Sequence, residues 1–143
     1  MKIVYLTTDE IVKIHDEIIK ETGGHYGIIS YGNLDFVTSQ MEIPKSLERK
    51  TATLLFGILT SHPFVDGNKR TAFESMKTFL IANNKKFIAT EKDIWIKLHE
   101  ISEGKLKIEE IIKWVENSVR WFDGKKKNND DSKKTYKRRW RIA

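Results

Sequence analysis

The chain has 143 residues, 39% hydrophobic and 32% charged, with a formal net charge of +6. That is one domain's length with enough apolar residues to build a core, so a disordered chain is excluded. The absence of cysteine excludes a disulfide framework and any thiolate metal site, and it fits a reducing compartment.

The charge is unevenly placed. Residues 124–143 hold nine of the 26 Lys/Arg and two of the 20 Asp/Glu, a balance of +7 that leaves −1 for the rest. The expected organisation is a nearly neutral domain over 1–123 and a basic, solvated, mobile tail over 124–143. The apolar opening, residues 1–6, is too short for a signal peptide, and no stretch approaches the length of a membrane span. A cytoplasmic protein with no membrane contact is expected.

In chain order, Thr7-Thr8-Asp9-Glu10 has the form of a capping box, with Thr7 as N-cap and Leu6 and Ile11 placed as the hydrophobic staple. Ile11, Ile14, Ile18 and Ile19 then form one stripe at helical spacing, and Gly23-Gly24 ends the helix. A glycine-punctuated loop covers His25 to Gly32, followed by a short helix from Asn33 to about Gln40. Pro44 breaks it. Ser46 can cap a third helix with core positions Leu47, Leu54, Leu55, Ile58 and Leu59.

After the loop 62–66, a fourth helix starting near Gly67 carries Phe73, Met76, Phe79 and Leu80 inward and stops at Asn83-Asn84. Phe87-Ile88-Ala89 reads as an extended piece. Thr90 caps a helix with Ile94, Leu98 and Ile101, ended by Gly104, and Ile108, Ile111, Ile112, Val115 and Val119 define a last helix ending near Trp121-Phe122. The fold class predicted is all-α, a compact bundle of about six short helices.

The chemistry lies in His62-Pro63-Phe64-Val65-Asp66-Gly67-Asn68-Lys69-Arg70. Pro63 disfavours helical geometry at His62, so a helix ends at Ser61 or His62. A helix restarting at Gly67-Asn68 offers free N–H groups and the positive end of its dipole, a phosphate site to which Asn68, Lys69 and Arg70 add donors and charge. Asp66 would repel bare phosphates but becomes a ligand if Mg²⁺ bridges them. His62 can take a proton from an incoming hydroxyl, and Phe64 anchors the loop in the core. The set suggests transfer of a phosphorus group from a nucleotide–Mg²⁺ complex to a hydroxyl.

This stretch resembles the active-site signature of the Fic/Doc proteins, His-x-Phe-x-Asp/Glu-Gly/Ala-Asn-Gly/Lys-Arg. Leu6 to Ile11, the His15-Asp16 pair, Gly23-Gly24, Gly32-x-Leu34, Thr71 to Phe87 and Ser102-Glu103-Gly104 extend the likeness to the death-on-curing (Doc) branch over roughly residues 3–122. The resemblance implies His62 as general base, Asp66 as Mg²⁺ ligand, Gly67, Asn68, Lys69 and Arg70 as the phosphate-binding nest, and Phe64 as structural anchor. It also implies a flap that aligns a target peptide, with 40–47 as its expected counterpart.

Lys69 stands where AMP-transferring members carry glycine. The Doc branch has lysine there, which is associated with delivery of the γ-phosphate, so the implied activity is phosphorylation of a Ser or Thr on a protein, with a translation factor as the target class. AMP transfer is the alternative within enzymes. Phe73 occupies the place of a second arginine found in many signatures, and no Ser/Thr-x-x-x-Glu-Gly/Asn element is present. Restraint is therefore expected from a separate antitoxin in a toxin–antitoxin pair.

Plainer readings accompany these. A loop with one His, one Asp and adjacent cations can be only a capped helix start; the ordered signature argues against that. His15 reads as a packed helix residue, and His25 and His99 lack a partner at metal-ligand spacing. Trp95, Trp114 and Trp121 read as helix residues filling core or interface. In the tail, Tyr136 and Trp140 among the cations suit stacking on RNA, ribosome or DNA. An inert binding module acting through that tail is the alternative outside enzymes.

Overall fold

The computed structural model describes residues 2–122. The boundary expected at 123 and the basic tail lie outside the described residues. The described part is helical, with α1 Thr8–Thr22, α2 Tyr31–Met41, α3 Leu47–Ser61, α4 Asn68–Ala82, α5 Glu91–Ser102 and α6 Ile108–Ser118. Two short strands, β1 Lys85–Phe87 and β2 Val119–Trp121, complete it.

Helix starts follow side-chain chemistry. Thr7, Ser30, Ser46 and Thr90 each accept the backbone N–H three residues on, and Glu10 returns a bond to the Thr7 N–H at 2.8 Å, completing the capping box. Leu6 and Ile11 are both buried in one core. Because Ser30 is the cap, α2 begins at Tyr31, two residues before the start read from the sequence.

Two further readings change. The extended piece is Lys85–Phe87, not 87–89, since these residues pair antiparallel with β2, Phe87 opposite Val119. The last helix stops at Ser118 because the next three residues enter that pair. Trp121 thus lies on a strand and is 59% exposed, under the Lys85 ammonium at 4.1 Å.

α3 is the hub, packed against α2, α4, α5 and α6, and α4 also meets α1 and β1. Leu54, Leu55, Ile58 and Leu59 of α3 and Phe73, Met76, Phe79 and Leu80 of α4 are buried. Each such side chain contributes about 1.5–3 kcal/mol relative to exposure. The loop 62–67 therefore hangs between the two most deeply packed helices, a rigid mounting for chemistry.

Candidate active site

α3 ends on His62, whose N–H bonds to Ile58 O at 3.1 Å. Its φ of 47° is left-handed, a conformation costing a non-glycine residue about 1–2 kcal/mol. The adjacent proline removes the helical alternative. His62 is exposed, while Pro63 and Phe64 turn into the protein.

Phe64 is 1% exposed and stacks flat on His15 of α1, centroids 3.9 Å apart and planes within 4°. The loop's backbone groups are tied down in several places. Pro63 O accepts Ile29 N–H (2.7 Å) and Ser30 N–H (3.1 Å), and Val65 N–H bonds to Gly27 O at 3.0 Å. Asn68 closes the loop on itself: its Oδ1 accepts Phe64 N–H at 3.0 Å and its Nδ2 donates to Phe64 O at 2.9 Å. His15 Nε2–H donates to Asp66 O at 2.7 Å.

Asp66 Oδ2 accepts His25 N–H at 3.0 Å and Oδ1 accepts Gly67 N–H at 2.9 Å, with Arg70 Nη2 at 3.6 Å. The His25 N–H does most to hold its carboxyl below the ordinary carboxylate value; desolvation, next in size, opposes it, and the Gly67 N–H and the Arg70 charge reinforce it. Gly24 makes this possible: a Cβ there would fall 2.6 Å from Asp66 Oδ2. Arg70 Nη1 in turn donates to Thr22 Oγ1 (2.6 Å) and Gly23 O (2.9 Å), fastening the end of α1 to α4.

The start of α4 departs from the rule of the other helices. Its N-cap is Gly67 at φ 79°, with no side-chain cap bond and no acid in the first turn. Lys69 instead sits there, half-buried, with no hydrogen bond or ion pair among the described residues. A cation at the positive end of a helix dipole is disfavoured until an anion arrives. His62, Asp66, Gly67, Asn68, Lys69 and Arg70 line one open cleft of about 460 Å³.

The six sequence-predicted groups are thus brought together, and Phe64 lies beneath them. Asn68 and Arg70 already serve protein partners, while Lys69 is uncommitted. Asp66, ionised, 38% exposed and facing the cleft, fits a Mg²⁺ site of the kind that takes one protein carboxylate and completes its shell with phosphate and water.

Other contributors escaped the sequence reading. His15 does pack in its helix, fully buried, but it also carries the loop. Trp95, tilted against Phe73 at 4.9 Å, and Ser102 line the cleft. The stretch paired with the loop is 24–30, through an antiparallel bridge between Ile28 and Phe64, whereas the end of α2 and the turn after it are fastened by Lys50 Nζ to Met41 O and Ile43 O. Phe73, at the place of the second arginine, is buried with the Lys77 ammonium 4.1 Å from its ring centre.

A smaller cavity of about 230 Å³, lined among others by Phe73, Leu80, Phe87 and Ile94, contains neither histidine nor hydroxyl. The polar cleft is the site suited to chemistry.

The family model for the Fic/DOC family matches residues 5–80, which takes in α1, α2, α3, the loop and most of α4. Protein kinase doc of Escherichia phage P1 is 29% identical over 85 residues, 55% of this chain and 68% of the phage protein.

Proposed function

The chain belongs to the Fic/DOC family, and from that premise we propose that it transfers the γ-phosphoryl group of ATP to a Ser or Thr hydroxyl of a protein, as the toxin of a toxin–antitoxin pair. The observation that carries the reading is the uncapped, cationic start of α4, in one cleft with an exposed histidine.

In this reading the first N–H groups of α4 and the Lys69 ammonium hold the phosphates, with Arg70 bracing the cleft wall and adding charge. Asp66 would hold Mg²⁺, which supplies neutralising charge on the nucleotide when bound. His62 accepts the hydroxyl proton as the acceptor oxygen attacks the γ-phosphorus, and ADP leaves. The stretch 40–47 would serve as the flap that aligns the target peptide. Lys69 fills the nest that an AMP-transferring site would leave open, which favours the γ-phosphate. The name of the phage relative, a protein kinase, points the same way. A translation factor as target, a separate antitoxin and a cytoplasmic location complete the proposal. No helix among the described residues is long and apolar enough to cross a membrane.

The test is labelling of a bacterial lysate with γ-labelled and α-labelled ATP in parallel, using wild type and His62→Ala. A His62-dependent protein band with the γ label alone is expected. A band with the α label would make the protein an AMP transferase.

A further inference from the structure

One hydroxyl already stands at the base. Ser102 is the last residue of α5, half-buried on the wall of the same cleft as Asp66, Lys69 and Arg70. Its Oγ lies 3.4 Å from His62 Nε2. This is longer than a formed catalytic hydrogen bond, and within the range that such contacts cover before the nucleotide is bound. Ser102 lies beyond the residues matched by the family model.

We propose that Ser102 is an internal acceptor and that the protein phosphorylates itself there. The inference rests on the phosphoryl-transfer reading above. A bond forms between Ser102 Oγ and the γ-phosphorus, and the bond from that phosphorus to the β-phosphate oxygen breaks. ADP departs, and the Oγ proton passes to His62 Nε2 and then to solvent. Base and acceptor are held in one cleft of one molecule, so the reaction is intramolecular and gains the advantage of proximity.

The product carries a charge of about −1.5 to −2 at pH 7. It is formed beside His62, in the cleft that Lys69 and the α4 start line, and there it supplies the anion these groups lack. A phosphate at that point also denies His62 to any other hydroxyl, so the modified protein is restrained by its own product.

The experiment incubates the full chain with γ-labelled ATP and Mg²⁺ over a range of protein concentrations, with peptide mapping by mass spectrometry, beside the lysate assay. The expected result is phosphate on Ser102 at a first-order rate independent of protein concentration. It is absent in His62→Ala and Ser102→Ala and restored as phosphothreonine in Ser102→Thr. A labelled lysate band with unmodified Ser102 overturns this inference and leaves the proposed function standing. A rate that rises in proportion to protein concentration overturns the internal route. No γ label on any protein overturns both readings.

Discussion

The starts of α4 and α5 make an instructive pair. At α5, Thr90 caps the Asp93 N–H and Glu91 and Asp93 stand in the first turn, so cap and dipole are both satisfied by the chain itself. At α4, a left-handed glycine replaces the cap and Asn68, Lys69 and Arg70 replace the acids. The first arrangement is what stability alone selects. The second leaves the Lys69 ammonium without a hydrogen bond or ion pair among the described residues. The difference teaches that this fold withholds local stabilisation at one helix end and spends its packing nearby, through Phe64, His15 and Asn68, to keep that end in place.

The strongest way to break the contrast is chemical. His62→Ala should lower γ-label transfer by about 10²–10⁴-fold while leaving the melting temperature near that of the wild type, since the ring is exposed. If the variant keeps its activity, the uncapped helix start is not serving this base. Phe64→Ala attacks the support instead. Emptying a 1%-exposed aromatic site should cost about 3–5 kcal/mol in denaturant unfolding.

The comparison sharpens with Thr90→Ala, which should cost about 1 kcal/mol with transfer unaltered, because the α5 start carries structure only. Lys69→Glu should do the reverse. Placing an acid in the first turn of α4 should raise stability by about 0.3–1 kcal/mol while nucleotide binding, read by calorimetry, falls at least tenfold.

The smallest effect is the pH dependence of Asp66. Its carboxyl sits below the ordinary value of 3.8 because of the His25 and Gly67 N–H groups and Arg70. Its stabilising contribution is therefore complete above that value and is lost as pH falls through the lower, folded-state value. The stability gap between wild type and Asp66→Asn should be present at neutral pH and close in acid; a gap constant down to pH 2 would contradict the assignment.

Much of the fold was legible because it is locally encoded. Thr7, Ser46 and Thr90 announce their helices, and the isoleucine stripe of α1 falls on its buried face. The candidate site was legible as a string of residue types within nine positions. What could not be read is long-range. Val119 continues the helical spacing of Ile111, Ile112 and Val115, yet Val119–Trp121 pairs with β1, a tertiary choice that periodicity does not register. His15 looks like any packed helix residue until its bond to a carbonyl 51 positions away is seen. The bonds that tie 27–30 to the loop at Pro63 and Val65 were hidden for the same reason. Ser102 entered only as part of a turn, and its distance to His62 is set by how α5 docks on α3.

The Asn83 side chain grips the Val4 backbone from 79 positions away, accepting its N–H at 2.8 Å and donating to its O at 2.9 Å. Together with the ties from His15 and Thr22 to residues 48 or more positions later, this orders events during synthesis. The first helix leaves the ribosome early but finds its seat only after α4 has followed it. Such distant closures come late in folding. A nascent chain therefore carries the signature residues well before it carries a finished cleft.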